Sequence, residues 1–292
     1  MPKTNLNNYL QLHFLVFIWG FTGILGALIS IDAIPLVWYR MLLATIFVLI
    51  YFLIKKKSIK VPPKALLKFF IGGVLIAVHW IFFFSAIKVS NVSVALVAMS
   101  TGALFTSIIE PIFFKRKLII LELFFGLIVI SGLYLIFNFE TEYTLGIIYA
   151  LIAAFLSAVF TVLNGLYIKE YDAEVISIYQ LFFGVLFISI YILATTGFTL
   201  ESFSLSSSDI IYLLILSSIC TAYAFIVSVK IMRYLTPYTV MLTINLEPVY
   251  AILLALIIFG EKEQMSPQFY IGALIIIITV VTNGILKKKK TT

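Results

Sequence analysis

The sequence predicts an all-α membrane protein: ten transmembrane helices forming two inverted five-helix repeats around a central cavity. Three observations predict it. Ten apolar stretches, each close to the ~20 residues that cross a bilayer, fill almost all of the 292 residues. Basic residues gather at alternate ends of those stretches, and the second half of the chain resembles the first. Composition agrees, with 63% hydrophobic residues, a mean hydropathy of +1.16, and 11% charged residues where a soluble domain carries roughly 25%.

The stretches run over 10–29, 35–54, 66–86, 92–114, 118–137, 145–168, 176–196, 210–232, 238–259 and 267–286. Turn chemistry marks the breaks: Pro62-Pro63, Ser90-Asn91, Gly197 and Ser206-Ser207-Ser208. Lys115-Arg116-Lys117 alone separates the fourth and fifth stretches, which predicts a tight antiparallel hairpin. The first stretch follows Lys3 and imitates a signal peptide, but it lacks a small-residue cleavage site and nine like it follow, so it reads as a retained helix. No stretch alternates as a barrel strand does, and helices satisfy their own backbone in lipid.

The formal net charge of +7 raises nucleic acid as a partner, but the basic residues sit in short runs at the ends of apolar stretches, the pattern of cytoplasmic loops. With both termini cytoplasmic, 17 of the 20 Lys and Arg fall on the inner side, from Lys3 and Lys55-Lys56-Lys57 to Lys287–Lys290. Only Arg40, Lys88 and Lys262 fall toward the outer side. A missed or extra helix would scramble this sorting, so it also supports the number ten. The expected setting is a cell (inner or plasma) membrane, with lipid and a small-molecule solute as partners, no nucleic acid, and a monomer or homodimer. Cys220 stands alone in an apolar stretch, so no internal disulfide is available. No Cys/His cluster offers a metal site, and no cofactor is implied.

The halves 1–140 and 141–292 match at polar positions. Asp32-Ala33 and Tyr39-Arg40 recur as Asp172-Ala173 and Tyr179-Gln180, at a constant offset of 140. Ala86-Ile87-Lys88 precedes the fourth stretch much as Ile231-Met232-Arg233 precedes the ninth, and Gly126 matches Gly272. Five crossings per half is odd, so the second half runs inverted. Inverted repeats are a transporter architecture that holds solute near the midplane.

Polar groups inside lipid are few and costly, so each is informative. Glu247 lies mid-stretch beside Pro248, which removes a backbone hydrogen bond. It can bind a cationic group, exchange a proton, or serve as a structural acid. Arg40 follows Pro35 and can bind a carboxylate or phosphate, pair with Glu247 or Asp32, or snorkel to the interface. His79 and Trp80 lie deep in the third stretch. The histidine is a proton relay or a packed ring bonded to a carbonyl; the indole is a stacking face. Asn164, Tyr179, Gln180, Tyr223 and Asn245 are candidates to line a cavity, or are interhelical glue. Glu110 reads as an interfacial partner of Arg116 or Lys117, and Glu122 and His13 as structural. Ala153 with Ser157, Ala154 with Ala158, and Ala98 with Gly102 permit close helix contacts.

Taken in order, Trp19-Gly20, Pro35 with Arg40, Leu246-Glu247-Pro248-Val249 and Gly260-Glu261-Lys262 resemble the drug/metabolite transporter superfamily, specifically the EamA-type permeases, across essentially the whole chain. The resemblance implies a ten-helix inverted-repeat permease that moves small metabolites by alternating access, with export of amino acids or related metabolites as the nearest analogy. One departure stands out: the first-repeat counterpart of Glu247-Pro248 is Thr101-Gly102, so no role passes to Glu110. Proton exchange through Glu247 or His79 is one coupling scheme and uncoupled diffusion another. The alternatives are an intramembrane enzyme, a channel, or a sugar- or nucleotide-type importer of the same fold. No G-x-x-x-x-G-K loop provides for direct ATP coupling.

Overall fold

Side chains that are apolar on every face, in runs of about twenty residues, leave the backbone one way to satisfy its polar groups in lipid, and the chain is accordingly helical. The computed structural model describes residues 6–291, and the described residues hold no strand. Lys3 and the side chains of Glu122 and Lys287–Lys290, on which expectations rest, lie outside the described residues.

The helices are α1 (Leu6–Leu28), α2 (Ala33–Lys55), α3 (Pro63–Val89), α4 (Val92–Met99), α5 (Gly102–Phe114), α6 (Ile120–Phe139), α7 (Thr144–Tyr167), α8 (Ala173–Ala194), α9 (Leu200–Phe203), α10 (Ser207–Ser217), α11 (Ala224–Ile231), α12 (Pro237–Ile244), α13 (Glu247–Phe259) and α14 (Pro267–Thr291). Eight helical segments among the described residues are long and apolar enough to cross a membrane. Two of them are the broken rods Val92–Phe114 and Pro237–Glu263, and a third, Ser207–Ile231, carries a π-helical turn at Ser218–Tyr223. Shorter apolar runs occupy Phe124–Ile136 in α6 and Pro267–Thr279 in α14.

The fourth and ninth stretches are therefore not single helices. Pro248 lacks an N–H, so the ladder into α13 fails one turn upstream; the Leu246 amide bonds back to Thr243 and the Val249 amide to Leu246 in three-residue steps. The first-half break has no proline. Its Ser100 and Thr101 hydroxyls donate to the Leu96 and Ala98 carbonyls, at 3.3 and 2.8 Å, and Gly102 follows.

Packing crosses between the halves. α3 lies against α7 and α8, α2 against α8 and α10, α1 against α13, α4 against α7 and α13, and α6 against α14. The α6–α14 approach needs glycine: a Cβ on Gly132 would stand 2.9 Å from the Gly272 carbonyl oxygen. Ala153, Ala154, Ser157 and Ala158 are buried along α7, where it meets α3, α4 and α5. Side chains such as Ile112, Leu127 and Ile257 stand exposed, an apolar rim suited to lipid.

Candidate functional site

The two breaks face one cavity of about 100 Å³. Met99 and Ser100 reach it from the first break, and Ile244, Asn245, Glu247 and Pro248 from the second. α1, α3, α7, α11 and the π-turn supply most of the remaining wall, largely aromatic: Trp19, Trp80, Phe83, Phe160 and Phe225.

Arg40 enters from α2 and is 2% exposed. Its guanidinium carbon lies 3.9 Å from the Trp80 ring centre and 5.3 Å from that of Phe84. Its Nε donates to Thr221 Oγ1 at 2.7 Å. Thr221 Oγ1 in turn donates to the Leu216 carbonyl at 2.7 Å, which leaves its lone pairs for Arg40. The π-turn makes this five-residue reach. Arg40 Nη1 is buried and finds no hydrogen-bond partner among the described residues. A guanidinium has only N–H to offer, so this position asks for an acceptor.

Glu247 opens α13, with the positive end of that helix behind its carboxylate. The ion pairs within 4 Å among the described residues do not include Arg40 with Glu247 or Asp32. Arg40 and Glu247 instead line the same cavity. His79 Nδ1 lies 2.8 Å from the Ala153 carbonyl, which can only accept, so the neutral ring presents Nε2 as an acceptor. The Asn164 and Asn245 amides line the cavity, and each retains an unpaired buried polar atom.

The sequence candidates thus divide. Arg40, His79, Trp80, Asn164, Asn245 and Glu247 come together around the cavity. Gln180 stands behind the wall, where its Nε2 donates to Asn164 Oδ1 at 2.7 Å and orients that amide. Tyr179 and Tyr223 are not lining residues, which corrects that expectation. The Tyr179 ring stacks on Phe69 and its hydroxyl donates to the Ile59 carbonyl; Tyr223 follows the π-turn outward and is 48% exposed. Glu110 pairs with Arg116 at 3.1 Å, as its place beside the basic loop implies. Thr221 was missed, although a hydroxyl beside Cys220 in an apolar stretch is a legible signal. Among the described residues no group of three or more His, Cys, Asp or Glu side chains could hold a metal ion.

Over 287 residues the chain is 26% identical to an uncharacterized transporter of Archaeoglobus fulgidus, covering 94% of this chain and 96% of that one. It is also 26% identical over 212 residues to an uncharacterized transporter of Clostridium kluyveri, covering 70% of this chain and 67% of the other. A solved crystal structure of a protein 14% identical superposes with a TM-score of 0.72 over 97% of this chain and 99% of its own, a likeness of fold alone. The model of the EamA-like transporter family matches twice, over residues 8–138 and 144–284, and the chain belongs to that family of membrane transporters.

Proposed function

We propose that this chain is a secondary carrier that exports a small zwitterionic solute, an amino acid or related metabolite, by alternating access between two inverted five-helix repeats. One observation carries the reading: Arg40, whose Nη1 is buried without a partner among the described residues, and Glu247 line a single aromatic-walled cavity at two helix breaks. A solute with one anionic and one cationic end meets a donor and an acceptor there, while its apolar part meets Trp80 and Phe160. Broken helices at a midplane cavity are a recurrent transporter device.

The repeats 1–140 and 141–292 find support in the double match of the family model. The packing supports them too. Counting α4 with α5, α10 with α11, and α12 with α13 as single crossings, each inter-half contact has a mate five crossings on: α3 with α7 mirrors α11 with α1, and α1 with α13 mirrors α7 with α4. Positive charge supports cytoplasmic termini. The site has the makings of a carrier rather than an enzyme, since no nucleophile and base are bonded to each other in it. Glu247 and His79 are the groups able to exchange a proton with the solute's passage.

The test is counterflow of labelled amino acids in proteoliposomes. Saturable counterflow that Arg40→Ala weakens at least tenfold in KM is expected, as is a pH dependence that Glu247→Gln removes. Flux that does not saturate, or a pH profile unaltered in Glu247→Gln, overturns the corresponding part of the reading.

A further inference from the structure

Each broken rod is held at its far end by a carboxylate from the opposite half. The offset of 146 that pairs Thr101 with Glu247 also pairs Val92 with Tyr238, the residues at the N-termini of α4 and α12. At α4, Glu263 accepts from the Val92 and Ser93 amides, both at 2.9 Å, and from Ser93 Oγ at 2.7 Å. At α12, Glu110 accepts from the Tyr238 amide at 2.7 Å while its other oxygen faces Arg116. Both carboxylates are buried, at 3% and 2% exposure. They arise at unrelated repeat positions: Glu110 lies inside α5, whereas Glu263 lies in the turn after α13. Two different sources thus serve one structural need.

The need is mechanical. α4 and α12 are eight-residue rods, each with a carboxylate at one end and a cavity-lining break at the other. The first amides of a helix have no partner of their own, and a buried carboxylate there is a strong tie. Release of the tie leaves a short rod free to pivot about its break, Ser100-Thr101 or Asn245-Leu246. The ties lie at opposite ends of the cavity, one at the Glu261–Glu263 end and one at the Lys115–Lys117 end. We infer that Glu263 and Glu110 are the two gate latches of the transport cycle, each of which lets go for its own end of the cavity to open. The inference rests on the carrier reading for its purpose, but its test does not.

Cys220 is the chain's single cysteine and lines the cavity, so it reports access without any engineered residue. The experiment measures its modification by a charged, membrane-impermeant methanethiosulfonate in right-side-out and inside-out vesicles. Glu263→Gln should raise the rate roughly ten- to hundredfold from the Glu261–Glu263 face only, the range that losing one charge-assisted hydrogen bond gives a two-state equilibrium. Glu110→Gln should do so from the opposite face only. Ser93→Ala and Arg116→Gln, which leave the carboxylates in place, should give smaller rises on the same respective faces, and they decide the matter if a glutamine variant does not fold. Unchanged rates, or rises from both faces at once, overturn the latches. Labelling as expected without counterflow in the wild type sinks the carrier reading instead.

Discussion

The two ends of the molecule are closed by different chemistry. At the end that carries Glu261–Glu263, buried carboxylates grip backbone. Asp209, 1% exposed, accepts from the Ser30 amide and hydroxyl, both at 2.7 Å, and so ties the α1–α2 turn to the start of α10. Glu140 accepts from the Ser266 amide at 3.0 Å, and Lys88 donates to the Ile29 carbonyl. At the basic end the ties are ion pairs between long side chains: Lys57 with Glu174, Lys68 with Glu170 and Arg233 with Asp172, each at 2.8 Å. Arg233 and Asp172 are 40% and 70% exposed there. Exposed pairs are worth about 0–1 kcal/mol and salt screens them, whereas a buried carboxylate on backbone amides is neither screened nor readily replaced by water. The basic end is therefore the weaker closure, with Glu110 as its one buried carboxylate tie among the described residues.

This asymmetry can be broken from its strong side first. Asp209→Ala strands the Ser30 amide and hydroxyl together with the Ser206 amide that shares the carboxylate. The expected loss is about 2–4 kcal/mol, read as a lower unfolding midpoint in detergent. A loss no larger than that of an exposed pair would remove the contrast between the ends. Arg233→Ala should cost less than about 1 kcal/mol, and about 0.5 M salt should erase its difference from the wild type. The same salt should leave the Asp209→Ala deficit in place.

The eight long apolar helical segments were legible because a bilayer demands long apolar runs, and the loops because lysines cannot be left inside one. The site was legible at Arg40, His79 and Glu247, where an ionisable group inside an apolar run has little reason to exist unless it faces a cavity or a partner. What sequence hides is direction around the helix. A soluble helix shows its inner face by hydrophobic periodicity, but here lipid and core are both apolar, and nothing distinguished Tyr179 and Tyr223, which turn away, from Asn164 and Asn245, which turn in. The second break was foreshadowed by Pro248. The first was not, because Ser100 and Thr101 break their helix by hydroxyl bonding that many intact helices tolerate. The latches were hidden for a further reason: Glu263 and Glu110 act on backbone amides of the other half, and an amide has no sequence signature.

The smallest effect is also a control on the proposed proton coupling. The Lys68 ammonium holds the Glu170 carboxyl below the usual carboxylate range, and the Glu174 carboxylate holds the Lys57 ammonium above its usual value. A carboxyl lowered in the folded state contributes stability above its unfolded value, and that contribution fades as pH falls through the lowered native one. A raised ammonium contributes below its unfolded value and fades as pH rises through the higher native one. Both contributions are thus level from about pH 5 to about pH 10. The small difference in unfolding midpoint between wild type and Lys68→Ala should be constant over that span and shrink below about pH 4 and again above about pH 10. A Lys68→Ala difference that instead bends near neutrality would mean that the basic end itself titrates there. If it stays level, a neutral-range pH dependence of transport cannot come from the Lys68–Glu170 pair, and Glu247 and His79 stand as its proposed carriers.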